Sequence, residues 1–170
     1  MTASILQPPA GQAWLDIDLA AQRLELRQDD RTLLGYTVAS ALAGPGELEG
    51  SGCTPRGWHC IRAMIGAGAA PGAVFVGRRP TGEIYSEQLA RRFPRRDWIL
   101  TRIIWLSGLE PGRNRLGKRD TMRRYIYIHG CPDTVELGQP GSKGCIRMRN
   151  LELIELFDRV AAGMRVYIHE

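Results

Sequence analysis

The sequence predicts a mainly β fold with one C-terminal helix. Apolar and polar residues alternate with period two in short runs along most of the chain, the pattern of half-buried strands. Only one stretch, Leu153, Leu156, Phe157 and Val160, repeats at helical spacing. Loops rich in glycine and proline separate the runs.

The elements follow in order. Leu15, Ile17 and Leu19 alternate with polar residues in Ala13–Leu19, and Arg23–Arg27 alternates again. Ala20–Gln22 between them is a turn without an Asn-Gly signal. Thr32–Ser40 gives a third strand and completes an opening meander. Gly44–Gly52 holds four glycines and a proline and is a loop. Thr54–Arg62 is a strand entered through a Pro-Gly bend, and Gly66–Gly72 is small and flexible. A short helix or lid around 86–92 is ended by Pro94. Trp98–Leu106 is a buried strand, or two joined by a bend, and Gly108–Asp120 is a polar, basic loop. Arg123–His129 is the clearest strand of all, and Gly130–Gly144 is again a loop. Asn150 caps a helix running to about Ala162, Gly163 stops it, and Met164–Ile168 is the final strand. No internal repeat, low-complexity tract or linker divides the chain, so residues 1–170 are expected to form a single domain with its core at about 14–168.

Composition sets the outer bounds. At 170 residues, 44% hydrophobic and 24% charged, the chain is ordinary globular material, which excludes disordered, collagen-like and coiled-coil classes. No apolar run approaches the roughly 18–20 residues of a membrane span. The net charge of +5 favours anionic partners. The N-terminal stretch Met1–Ala10 has neither a basic region nor a continuous apolar one. The expected location is therefore cytoplasmic, or the periplasm or cell envelope if a leader has been removed. Four cysteines are too few for a disulfide scaffold at this length, and each is expected to be a free thiol.

Two residues stand out chemically. His129 ends a strand, and Cys145 follows a glycine-rich loop, with fifteen residues between the two. An imidazole can take a thiol's proton, and the resulting thiolate is a strong nucleophile. Gly144 lets the backbone turn tightly before the thiol, where backbone N–H groups could hold an oxyanion. Arg147 shares the site if the segment is extended, and its guanidinium would favour thiolate and bind a carboxylate. The bland alternative is a small buried cysteine and a hydrogen-bonded strand-end histidine.

Ile128-His-Gly130 followed by Ser142-Lys-Gly-Cys-Ile-Arg-Met148 resembles the signature of the L,D-transpeptidase catalytic domain, the YkuD family. Gly50-Ser-Gly-Cys-Thr-Pro-Arg-Gly-Trp-His59 resembles the family's upstream segment, and the likeness runs from about Trp14 to Ile168. The resemblance implies a β-sandwich-like catalytic fold acting on peptidoglycan stem peptides or muropeptides. It implies that Cys145 attacks the carbonyl of diaminopimelate and expels the terminal D-Ala. The thioester then passes to water, which is L,D-carboxypeptidase work in muropeptide recycling, or to an amine, which is transpeptidation. It implies His129 as base, the Gly130 carbonyl as its orienter, Ser142, Gly144 and the Cys145 amide as the shapers of the site, and Arg147 toward the substrate carboxylate. A covalent carbapenem adduct at Cys145 is implied too. Lys143 stands where the family usually has histidine; it adds a fixed charge that either lowers the thiol pKa or points to solvent. No cofactor is implied, since a thiol and an imidazole suffice for acyl transfer.

Three rival readings remain. Cys53, His59, Cys60, His129 and Cys131 are metal-ligand types, but their spacing matches no finger pattern, and no metal is expected. His59 and Cys60 alternate, so one should be core and the other surface. The arginine pairs at 91–92, 95–96 and 123–124, with Phe93, Trp98 and Tyr125 among them, could grip single-stranded nucleic acid, but no nucleic-acid signature accompanies them. A catalytically inactive wall-binding domain is the third, favoured only by Lys143. Cys131 is either a loop thiol or a disulfide partner for Cys145. Asp97, Glu110 and Asp120 are the carboxylates that could assist His129.

Overall fold

The computed structural model describes residues 6–170; Met1–Ile5, half of the stretch read for a leader, lie outside them. Strand residues make up 41% of the described residues and helix 11%, so the mainly β expectation holds. The ten strands are β1 Ala13–Asp18, β2 Arg23–Gln28, β3 Arg31–Thr37, β4 Gly57–Ile65, β5 Ala73–Val76, β6 Arg79–Ile84, β7 Ile99–Gly108, β8 Tyr127–Gly130, β9 Ile146–Met148 and β10 Arg165–His169. Among the described residues the helices are α1 Glu87–Arg92 and α2 Asn150–Phe157, with a 3-10 turn at Gly117–Arg119.

All ten strands belong to one mixed sheet, in the order β3-β2-β1-β10-β4-β7-β5-β6, with β8 on β7 and β9 on β8. Two pairings are parallel, β1 with β10 and β8 with β9. The sandwich-like form comes from this sheet folding over. After β3 the chain continues through Val38–Ala41, and Ala39 bridges to Arg147 while Ala41 bridges to Ser142. The meander at one end of the sheet is thereby tied to β9 at the other.

Between the two halves lies the main core. Leu15 and Ile17 of β1, Leu24 and Leu26 of β2, Ile104 and Leu106 of β7, Ile128 of β8 and Ile146 of β9 all point into it, and α2 adds Leu153, Leu156 and Phe157. Strand alternation then sends the intervening residues to the other face. On that face a smaller cluster forms from Phe75, Ile103 and Tyr127, with Trp105 and Cys145 packed against it. The core and the Cys145 thiol therefore lie on opposite sides of the same strands.

Several boundaries depart from the sequence reading. The strand expected over Arg123–His129 begins only at Tyr127, because Thr121–Tyr125 forms tight turns and Tyr125 has φ +55°. The β5–β6 hairpin and the three-residue β9 were not legible as strands. The C-terminal helix stops at Phe157, five residues short of expectation. Asn150 does not cap it: Arg149 occupies the cap position without a side-chain bond. Instead the Asn150 side chain accepts a hydrogen bond from the Thr101 hydroxyl at 2.6 Å and donates to the Cys131 carbonyl at 3.0 Å. This fastens the start of α2 to β7 and to the end of β8. Asn150→Ala leaves both partners unsatisfied, and chemical denaturation should show a loss of about 1–3 kcal/mol.

Candidate active site

The parallel register of β8 and β9 sets Ile128 opposite Ile146, His129 opposite Arg147 and Gly130 opposite Met148. Cys145, one residue before β9, therefore comes beside Tyr127. Alternation along both strands puts Cys145, Tyr127, His129 and Arg147 on one face. All four line a cavity of about 500 Å³, together with Ser142, Lys143, Asp97 and two arginines, Arg78 and Arg124. Gly130 and Gly144 belong to its framework.

Each site residue is held by its neighbours. His129 is 1% exposed, and its Nδ1–H donates to the Gly130 carbonyl at 2.7 Å. A carbonyl can only accept, so this bond fixes the tautomer and leaves Nε2 with its lone pair. Position 130 admits only glycine: a Cβ there would lie 2.2 Å from Asn150 Oδ1 and 2.6 Å from the Leu100 carbonyl oxygen. Gly144 has φ +133°, and its carbonyl accepts from the Thr54 hydroxyl at 2.9 Å. Thr54, fully buried, also accepts the Ala41 N–H at 3.0 Å. The Gly-Ser-Gly-Cys-Thr-Pro segment thus reaches the site through the Thr54 hydroxyl and through the Cys53 carbonyl that Arg124 holds. Ser142 Oγ donates to the Cys145 carbonyl at 2.5 Å and accepts the Gly144 N–H at 3.2 Å, closing the turn that presents the thiol. The Ser40 carbonyl accepts both the Gly141 and the Ser142 N–H at 2.9 Å.

The thiol and imidazole share the cavity, but no hydrogen bond joins them. Cys145 Sγ accepts the Tyr127 N–H at 3.3 Å and donates to the Tyr125 carbonyl at 3.4 Å. Burial pushes the thiol pKa up to about 11, outweighing the Tyr127 N–H, Arg147 and Arg124, with Asp97 adding to the rise. Arg147 favours the thiolate, as expected, but burial outweighs it. Arg147 is also paired with Asp97 at 3.2 Å and donates to the Gly141 carbonyl at 3.0 Å. Burial also lowers the His129 pKa, against the opposing pull of its bond to Gly130. Both groups are therefore neutral near pH 7. Lys143 is exposed at the rim.

The remaining candidates separate cleanly. Of the three carboxylates, only Asp97 lines the cavity. Glu110 accepts the Trp58 N–H, and Asp120 accepts from Leu116 and Arg123. Cys131 is buried, its thiol donating to the Met148 carbonyl at 3.4 Å, and all four cysteines are free. His59 is core and Cys60 partly exposed, as alternation predicts. His169 is paired with Asp16 at 2.9 Å. No cluster of metal-ligating side chains exists among the described residues, and no helix there is long and apolar enough to cross a membrane. Near α1, Arg91 and Arg96 are paired with Glu87 and Glu83.

Sequence reasoning missed Arg78 and Tyr127 as cavity residues, and it read Arg124 only as part of a basic run. Arg124 spans the wall of the site, donating to the Cys53 carbonyl at 2.6 Å and the Gly46 carbonyl at 3.2 Å.

Two outcomes follow from this geometry. Alkylation of Cys145 by iodoacetamide should be slow at pH 7 and climb steadily toward pH 11, because the neutral form is the resting one; a plateau reached below pH 8.5 would contradict the burial argument. Thr54→Val should lower the unfolding free energy by about 1–3 kcal/mol, since the Ala41 N–H and the Gly144 carbonyl both lose their partner.

Comparison with known proteins gives a consistent picture. The sequence matches the L,D-transpeptidase catalytic domain family, YkuD, over residues 12–168. A Bacillus subtilis protein named as the L,D-transpeptidase YkuD is 43% identical over 47 residues, 28% of this chain and 29% of that protein. The fold superposes on an L,D-transpeptidase from Xylanimonas cellulosilytica with a TM-score of 0.55 at 18% identity, covering 96% of this chain and 63% of the other. It also superposes on L,D-transpeptidase 3 from Mycobacterium tuberculosis, solved with a faropenem-derived adduct, with a TM-score of 0.56 at 13% identity, covering 93% of this chain and 60% of that one. The chain thus spans less than two thirds of the length of each of these relatives. With the family matched across nearly its whole length and the His129 and Cys145 strands set side by side, the chain belongs to the L,D-transpeptidase catalytic domain family.

Proposed function

We propose that this protein is a cysteine acyltransferase acting on peptidoglycan stem tetrapeptides, cleaving the bond between diaminopimelate and the terminal D-Ala. The observation that carries this reading is the placement of Cys145 and a neutral, tautomer-fixed His129 in one cationic cavity, within a chain of this family.

In this mechanism the substrate carbonyl enters the cavity and displaces the thiol proton from the Tyr125 carbonyl. The proton passes to His129 Nε2 as Sγ bonds to the carbonyl carbon, and the carbonyl π electrons move to oxygen. The developing imidazolium is stabilised by the Gly130 carbonyl, and the oxyanion by the backbone N–H of Cys145. Collapse re-forms the carbonyl and breaks the C–N bond. D-Ala leaves with the proton from the imidazolium, and a thioester remains. Water or an amine, deprotonated by His129, then attacks the thioester. Water gives a tripeptide; an amine gives a new peptide bond. In either case the proton returns to Sγ.

The neutral resting pair suits this sequence, because it needs no stored thiolate. Lys143, the one feature that favoured an inactive wall-binding domain, is exposed at the rim and leaves the His129–Gly130 bond in place.

Mass spectrometry of L-Ala-γ-D-Glu-diaminopimelate-D-Ala incubated with wild type and Cys145→Ala tests the reading. Tripeptide from wild type alone is expected, and a D-Met-capped product on adding D-Met measures how far an amine competes with water. Incubation with faropenem or imipenem should add a covalent mass to wild type and none to Cys145→Ala. No product and no adduct from wild type would sink the proposal.

A further inference from the structure

The β5–β6 hairpin ends in a two-residue turn, Gly77-Arg78, closed by the pairing of Val76 with Arg79. Both turn residues have positive φ, +55° at Gly77 and +64° at Arg78. This is the type I′ arrangement, which matches strand twist but suits glycine, asparagine or aspartate at both positions. An arginine in the second position is a costly choice for the turn itself. Backbone strain retained in this way points toward a use for the side chain.

That side chain enters the cavity holding Cys145. Its guanidinium lies 4.5 Å from the Trp105 ring centre and 5.0 Å from that of Tyr125. Nη1 donates to the Tyr127 hydroxyl at 3.1 Å. Of its five N–H donors, only this one is bonded to protein. Arg147, in contrast, is paired with Asp97, and Arg124 is committed to two backbone carbonyls. Asp97 is the only carboxylate lining the cavity, against four cationic side chains. Arg78 is thus aligned by two aromatic rings, has no carboxylate partner among the described residues, and has most of its fork free.

Tyr127 supplies the measure of distance. Its backbone N–H bonds the nucleophilic sulfur, and its hydroxyl bonds Arg78. The path from the sulfur to the guanidinium is thus one tyrosine side chain with a hydrogen bond at each end. A diaminopimelate side chain spans a similar length before ending in its own carboxylate.

We infer that Arg78 is a specificity-determining residue that receives the free side-chain carboxylate of the diaminopimelate residue whose carbonyl Cys145 attacks. The substrate class is a stem peptide with that carboxylate unamidated. The inference rests on the acyl-transfer reading above and deepens it. A planar guanidinium binds a carboxylate through two parallel bonds, whereas an amide can accept only at one atom and brings no charge.

The test compares the tetrapeptide carrying a free diaminopimelate side-chain carboxylate with its side-chain amide, for wild type, Arg78→Gly and Arg78→Lys. Glycine fits the left-handed turn, so this variant should unfold at no lower temperature than wild type. Wild type should prefer the acid form by about ten- to a hundredfold in kcat/KM, mostly through KM. Arg78→Gly should bring the ratio near one, and Arg78→Lys should fall between. An unchanged ratio in Arg78→Gly overturns the inference while leaving acyl transfer standing. Failure of wild type to turn over either peptide overturns both.

Discussion

The site depends on one short piece of parallel pairing. β9 is only three residues long, yet it sets the position of the thiol relative to the imidazole. A pairing this brief has little strength of its own, and here it is held from both sides. β8 is anchored on the ten-residue β7, while the Ala39 and Arg147 backbones exchange hydrogen bonds on the other side of β9. Behind it, Ile146 and Met148 are fully buried in the core. The thiol is presented from a backbone that cannot shift without opening the sheet closure and exposing that core.

The electrostatics of the cavity divide into two layers. Close to the sulfur, burial dominates and keeps both reacting groups neutral. Farther out, the arginines and Lys143 set up a positive field whose long-range effect falls on the ligand. For the proposed reaction, this arrangement separates attraction of an anionic substrate from activation of the nucleophile. It also explains why clustered positive charge in the sequence does not translate into a resting thiolate: Arg147 is neutralised by Asp97, and Arg124 spends its donors on backbone carbonyls.

Much of this was legible in the sequence, and the exceptions have physical causes. The strands that alternate cleanly, β1, β2 and β10, were found because one face of each is buried and the other is not. β9 was missed because a three-residue strand between a glycine turn and a helix offers no period to read. β5 was missed because three of its four residues are buried, which erases alternation, and β6 because nearly all of it is exposed. His129 and Cys145 were visible as residue types, and the glycines beside them signalled close approach. What could not be read was distance across the fold. Thr54 bonds the Gly144 carbonyl over 90 positions, and Arg78 reaches Tyr127 over 49. Burial was equally hidden, and at the thiol it outweighs the charge of Arg147.

The outermost strand carries a consequence for how these molecules coexist. An unpaired strand edge is a template on which a second chain can add by backbone hydrogen bonding. β6 closes its end of the sheet with Arg79, a proline at 80 that has no N–H to offer, and Gly82 at φ +85°. A missing donor, a twisted backbone and a charge leave little for an incoming strand to follow. The hairpin that borders the cavity can therefore stand open to water at high protein concentration without seeding edge-to-edge association.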